Sequence, residues 1–532
     1  MRPRVSSIAF PLAAWAVFVL AAGWPTVALL VRCITQGAVP REGLTFTARQ
    51  TALLWRTLWL SATATVLCLA LSLPAAYVLG RARSPARRPL LSALLMTLLL
   101  TPPMVYAFGW LRILPADFNP YARCIGVWAL WAWPIPALFL GAGWSRAART
   151  AHEAATLVVS PWTAFLRVAL PILSRYIALG ALIVFVLFFG DYGVPHACNL
   201  TVYATDILGW AQESSRTIDV LAPALPGVVV VGAAVWLILW MGSRIPADGD
   251  DESGSSPEPS TVRASGDRHA TVWHRLLAGS RAVWHRLPAG ERRSMAALWA
   301  TIALLTVSWL LPIGWLTVKL GSPGAFAQAI RTYAADLGWS IGVAAVSGLV
   351  VVGMGVGLCA SPRGGRFALG WTVMLGALPG GLIGVALIGA YNNSVTYPIY
   401  DAWPIVAISY AARFGWIGVL IGLLVTGRRA SPLAAQARTD GADDGAVLTR
   451  VQLPMHFATL LAGVAVVTAL ALADVAASSL VRVPSYNPIA HVLIEKYHRF
   501  EDGMLVSLSL WLTAAVVPAA VLLAWMMRRR GR

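Results

Sequence analysis

The sequence is poor in charge. Of its 532 residues only 12% are Asp, Glu, Lys or Arg, about half the share of an ordinary soluble domain. A soluble chain of this length could not cover its surface with so few charges. Disorder is excluded as well, because 58% of the residues are hydrophobic and disorder needs low hydrophobicity. Lysine is almost missing. Lys319 and Lys496 are the only two, so the net charge of +18 is carried by arginine. Neither lysine follows a glycine, so the chain has no P-loop and does not hydrolyse ATP by that route. The five cysteines include no CxxC pair, which speaks against a metal or redox centre. Cys33, Cys124 and Cys198 fall near outer helix ends, where a disulfide among them is open, whereas Cys68 and Cys359 fall inside apolar runs. His152-Glu153 has no second histidine four residues on, which excludes the zinc-protease helix.

What the chain has instead is length of apolar run. A bilayer core needs about 20 apolar residues per helix. Twelve such runs are present: 8–31, 57–80, 89–113, 124–144, 173–196, 220–242, 295–318, 337–360, 367–390, 403–426, 456–479 and 504–527. They are too long for barrel strands and do not alternate as those do. The expected fold class is therefore all-α, a polytopic membrane protein. The first run is longer than a signal-peptide core and lacks a small-x-small site, so it reads as an uncleaved anchor.

The arginines gather after even-numbered spans. They stand at Arg81, Arg83, Arg87 and Arg88, at Arg146, Arg149, Arg167 and Arg175, through 244–293, at Arg363 and Arg366, at Arg428, Arg429, Arg438 and Arg450, and at Arg528, Arg529, Arg530 and Arg532. Arg2 and Arg4 join them at the N-terminus, and the other side holds Arg41, Arg49, Arg216 and Arg331. The positive-inside rule places both termini in the cytoplasm of a multi-pass protein. The surplus charge then reads as topology, and nucleic-acid binding is excluded as its purpose.

Residues 244–293 interrupt the pattern with a polar stretch, Asp248 to Pro257, of linker composition. The expected division is a first half at 1–243, a cytoplasmic linker at 244–293 and a second half at 294–532. The halves align at a constant offset of 283. Thr57 falls on Ser340, Arg83 on Arg366, Trp133 on Trp416, and Arg167, Leu170, Pro171, Gly180 and Asp191 on Arg450, Leu453, Pro454, Gly463 and Asp474. Matches at charged and proline positions arise less easily by chance than apolar ones. The expectation is a duplication, with parallel repeats about an axis along the membrane normal.

The long loops before spans five and eleven carry the most specific pattern. The first holds Glu153-Ala154-Ala155, then Ser160-Pro161, and ends in Leu170-Pro171. The second holds Ala437, Asp440, Gly441 and Ala442, and ends in Leu453-Pro454. This resembles the EAA loop of permease subunits of binding-protein-dependent ABC importers: Glu-Ala-Ala, a later glycine, and a Leu-Pro ending. The first loop departs from that pattern in lacking the glycine, and the second in having Ala435 where Glu is usual. Two six-span halves in one chain, with Asp191-Tyr192-Gly193-Val194-Pro195 and the tail from Asp474 through Arg482 to Asp502-Gly503, are similar to the ferric-iron and thiamine branch. The resemblance implies a type I importer permease fold in a bacterial inner membrane. It also implies two copies of an ATPase subunit docked on the two loops, a periplasmic solute-binding protein and no cofactor. The solute it implies is ferric iron first, then thiamine or another small polar solute.

Other residues stand out on physical grounds. Asp191 and Asp474 sit at equivalent span ends, and a carboxylate at membrane depth faces a cavity or a partner. They read as a paired gate or a cation-attracting element at the outer mouth of a pore, or else as interfacial caps or salt-bridge partners. Arg413 lies within span ten, to pair with a carboxylate such as Asp401 or to line the path. Tyr192 and His196 are within reach of a passing ligand, although an isolated Tyr or His at an interface is more often structural. Gly338-Trp339-Ser340-Ile341-Gly342 matches the serine-hydrolase pattern, but on a span rather than a strand-to-helix elbow. A transporter driven by an ion gradient is the competing class; it calls for carboxylates in the middle of the spans, and almost none are there.

Overall fold

The computed structural model describes residues 5–35, 47–81, 87–115, 117–213, 217–243, 289–320, 322–426, 432–481, 483–484, 487–499 and 501–530. Most of the linker, Arg2, Arg4, Arg41, Arg83, Arg216, Arg428, Arg429, Arg482 and Arg532 lie outside the described residues, as do the side chains of Cys33 and Arg146.

Among the described residues the chain is helical and contains no strand. Eight helices are long and apolar enough to cross a bilayer, and four bent pairs raise the number to twelve. The apolar residues face outward as well as inward. Only 17% of the Arg292–Lys319 window and 28% of the Thr217–Ser243 window is buried inside the protein. Side chains such as Val66, Leu73, Val229 and Trp236 are exposed. A helix apolar on every face needs a lipid surround.

Four expected spans are not straight rods. The 89–113 run breaks between Leu100 and Pro103 with an 83° bend, and the 367–390 run breaks between Ala377 and Gly380 at 110°. The 124–144 run bends by 42° at Trp133, and the 456–479 run by 75° between Met455 and Phe457. Proline explains the first three positions. Pro102 and Pro379 precede the new helix, and Pro134 opens it, where the missing N–H costs nothing and the ring fits the first turn. The fifth expected span, 173–196, ends as a helix at Phe189, and the eleventh ends at Ala473, each just before its aspartate.

The N-terminal helices pack on residues late in the chain, and the helices that follow Ala289 pack on residues early in it. Trp24 donates to the carbonyl of Ala390 at 3.3 Å and Tyr391 donates to that of Leu20 at 2.6 Å. In the reciprocal direction Trp133 donates to Ser308 at 3.0 Å and Trp309 to Thr101 at 3.1 Å. Indole and phenol groups buried in an apolar layer need such partners. In the second half, Gly355 and Gly418 let Ala334–Leu358 and Pro404–Thr426 touch backbone to backbone; a Cβ on either would collide with the other helix. Small residues are the usual means of such close approach in membranes.

The hydroxyls of Thr57 and Ser340 do the same work in the two halves. Thr57 accepts the N–H of Tyr203 at 2.9 Å, and Ser340 accepts that of Ile489 at 3.0 Å. Tyr203 and Ile489 are the first residues of the helices Tyr203–Glu213 and Ile489–His498, whose first N–H groups lack partners of their own. Ser340 is therefore a buried anchor on a continuous helix, not a nucleophile on an elbow.

Candidate functional site

Two regions collect the residues singled out in the sequence, at opposite ends of the helix bundle.

At one end lie the two loops. The first runs from Arg149–Ala155 through a turn to Ser160, whose side chain accepts the N–H of Thr163 at 3.3 Å and starts Pro161–Ala164. The second runs from Pro432–Thr439 through Gly441 to Asp443, whose side chain accepts the N–H of Ala446 at 2.8 Å. Ser160 and Asp443 stand at the offset of 283 and are both N-caps. A widened π-helical turn then follows, Phe165–Ala169 in one and Val447–Gln452 in the other, and each leads into Leu-Pro at Leu170-Pro171 and Leu453-Pro454. The prolines lack the N–H that the preceding turn would use, which a π-turn accommodates.

The loops differ where the sequence pattern differs. Gly441 adopts φ +88°, a conformation that favours glycine. In the first loop the amides of Thr156 to Val159 fold back onto the carbonyls of His152, Ala154 and Ala155, and no residue there enters the left-handed region. The missing glycine is thus unneeded. Glu153 pairs with Arg149 at 3.0 Å, and Arg438 with Asp444 at 3.1 Å. Ala437, Asp440 and Arg450 help to line a cavity of about 400 Å³ between the second loop and its following helix. Ala154 is exposed, and Ala155 and Ala442 are half-buried.

The same end presents apolar side chains that the fold does not cover. Leu157 and Val158 are each 87% exposed and Trp162 67%. In the second loop Leu433 is 60% exposed. Leu157 and Val158 lie in the turn before Ser160, Trp162 in the first turn of the apolar helix Pro161–Phe189, and Leu433 in the helix Pro432–Thr439.

At the other end the chain leaves Phe189 and Ala473 through Asp191 and Asp474. Both carboxylates cap the turn that follows. Asp191 accepts the N–H groups of Gly193 at 3.0 Å and Val194 at 3.1 Å, and Asp474 accepts that of Ser478 at 3.3 Å. Their remaining partners differ. Asp191 takes the indole N–H of Trp128 at 2.8 Å, and Trp128 stacks on Phe188 with centroids 5.0 Å apart. Asp474 faces the guanidinium of Arg413 at 3.8 Å. Arg413 also donates to the carbonyl of Leu378. Asp474, rather than Asp401, is thus the carboxylate paired with Arg413. The break between Ala377 and Gly380 lies against this cluster; a Cβ on Gly380 would meet Ala476 at 2.7 Å.

Just beyond lies a contact between residues about 300 apart in the chain that sequence reasoning missed. Tyr192 stacks on His196 at 4.8 Å, and the Nε2 atoms of His196 and His498 are 3.1 Å apart. Tyr497 donates to the carbonyl of Ala197 at 3.0 Å. Burial, together with the neighbouring His498, pulls the His196 imidazole down to about 4. Cys124 and Cys198 are both buried and free.

These features define a polytopic helical membrane protein with a doubled loop at one end and a buried carboxylate–arginine cluster at the other. Over 226 residues the chain is 29% identical to the molybdenum transport system permease protein ModB of Mycobacterium tuberculosis (strain ATCC 25618 / H37Rv). It is equally similar to the protein of that name in Mycobacterium bovis (strain ATCC BAA-935 / AF2122/97). The match takes in 39% of this chain and 84% of each relative. The likeness supports the ABC importer permease family and a transport role in the membrane. No family model matches the chain, and neither does a solved structure.

Proposed function

We infer that the chain is the fused permease of an ATP-driven importer, with both termini in the cytoplasm and each half presenting one loop to an ATPase subunit. The observation that carries this reading is the pair of loops. They are built from the same devices in the same order, and they hold Leu157, Val158, Trp162 and Leu433 in the open. Large apolar side chains kept exposed on and beside these loops mark a docking surface. The chain has no P-loop of its own, so hydrolysis falls to the docked subunits, and a binding protein outside delivers the solute.

The solute we infer is a small oxyanion of the molybdate kind, following the molybdenum named for the relatives, in place of ferric iron. The chemistry of the cluster agrees. The oxygens of Asp191 are occupied by two amides and an indole, and Asp474 by an amide and Arg413. A ferric ion wants carboxylates free to ligate. An oxyanion wants a guanidinium that can change partners, which Arg413 supplies. ATP hydrolysis would let the halves alternate between access to one face and to the other. The test is uptake of molybdate into vesicles carrying the chain with its co-purified ATPase. Uptake that needs ATP and competes with tungstate agrees with the reading; uptake that persists with the ATPase absent sinks it.

A further inference from the structure

The two halves meet at the carboxylate end through a pair of histidines that no role above uses. His196 lies on the short helix Gly193–Ala197 of the first half, and His498 closes Ile489–His498 of the second. Their Nε2 atoms are 3.1 Å apart, with ring centroids at 5.0 Å and planes inclined at 70°. They border a pocket of about 420 Å³ shared with Asn199, Leu200, Thr201 and Tyr497.

We propose that His196 and His498 form a two-histidine site for a divalent transition-metal ion that bridges the two halves of the chain. Imidazole nitrogen suits zinc, copper and nickel. Zinc–nitrogen bonds of about 2.0–2.1 Å put two neighbouring ligands of a tetrahedral or octahedral shell about 2.9–3.4 Å apart, and the observed separation falls within that span. In the metal-free state one ring must carry its proton on Nε2 to bond the other. In the bound state both carry it on Nδ1, so binding needs a change of tautomer and no net loss of a proton. Tyr192 stacks on His196 and holds one ligand in place. Nearby, Arg112 pairs with Asp502, and Lys496 with Glu501 at 2.9 Å. Among the described residues no third His, Cys, Asp or Glu joins the pair. The other coordination positions therefore fall to water, for which the pocket has room beside Asn199 and Thr201. Two protein ligands make a reversible site rather than a permanent structural one. Because the ligands come from opposite halves, the ion pins this end of the bundle shut. That consequence rests on the importer reading; the binding does not.

The full-length chain in detergent, titrated with Cu²⁺ and followed by electron paramagnetic resonance, reads the site directly. One tightly held ion showing coupling to two imidazole nitrogens is expected. His498→Gln, at an exposed position, and His196→Asn should each weaken binding at least tenfold and abolish the two-nitrogen signature, while His491→Ala leaves both unchanged. A wild-type signature that survives in either variant, or its absence from the wild type, overturns the proposal. The readout needs no transport, so it stands apart from any failure of uptake.

Discussion

The Arg413–Asp474 pair invites a double-mutant cycle whose outcome the structure fixes in sign and size. Breaking a buried ion pair from one side costs about 3–5 kcal/mol in soluble proteins, because the partner charge is left uncompensated. Interactions between membrane helices measured by such cycles average about 0.6 and reach about 1.7 kcal/mol. The 3.8 Å separation is longer than a charge-assisted hydrogen bond, which shortens the expected gain, whereas the 6% exposure of the Asp474 side chain lengthens it. Arg413→Gln leaves that carboxylate with one amide at 3.3 Å, at a cost of about 3 kcal/mol. Asp474→Asn leaves Arg413 its bond to Leu378 and 19% of its side chain in contact with solvent, at a cost of about 1–2 kcal/mol. The double variant should be no worse than Arg413→Gln alone, a coupling of about 1.5 kcal/mol. Equilibrium unfolding in mixed micelles, followed by tryptophan fluorescence, measures all four corners. Additivity within about 0.5 kcal/mol would refute the claim that these two groups hold one another.

Three further outcomes follow from the same geometry. Trp162→Ala and Leu157→Asp should change stability by less than about 0.5 kcal/mol, because both side chains are exposed, yet should reduce co-purification of the ATPase severalfold; retention of wild-type amounts would remove these residues from the docking surface. Thr57→Val and Ser340→Ala each strand a buried helix N–H and should cost about 1–3 kcal/mol by unfolding, and Ser340→Ala should leave uptake in place, which a hydrolase nucleophile could not. His196 has a folded value of about 4 against the usual 6.5, so the unfolded chain takes up the proton first. Its contribution is fully present above pH 6.5, falls as pH drops toward 4, and should vanish from the pH profile of thermal unfolding in His196→Gln.

Run length alone made the helical membrane fold legible, since no other class carries twelve apolar segments with so little charge. Breaks at Pro102, Pro134 and Pro379 could be placed from proline, but not the 83° and 110° bends, because bend angle is set by what packs against the break. The loops carry a pattern in sequence whose caps only the structure shows. Ser160 and Asp443 serve as the same cap with different side chains, an equivalence that a glycine pattern does not carry. Asp191 and Asp474 could be matched by position, yet their partners could not. Trp128 sits 63 residues before Asp191 in an apolar run, and nothing local marks it as a donor. His498 faces His196 from 302 residues away, a distance across which period and composition carry no signal.

The partners of the two aspartates also argue about where a solute would be held. At the offset of 283, Trp128 falls on Ala411 and Arg413 on Leu130, so neither donor has a counterpart in the other half. Each half must keep a capping carboxylate at the edge of an apolar layer, and each does so with a different group. An indole is a single neutral donor aimed at one oxygen; once it leaves Asp191 it has nothing to offer an anion beyond one hydrogen bond. A guanidinium has five donors and a permanent charge, and can release one carboxylate for another oxyanion without losing its own compensation. On the two-half reading, the path through the middle is therefore chemically lopsided although its frame is doubled. The second half carries the exchangeable cation, while the first holds its carboxylate fixed with Trp128 and Phe188 stacked behind it. If the frame is duplicated as proposed, the two carboxylates have kept their place while their partners have diverged, and Arg413 is the cation of this cluster that an oxyanion could engage.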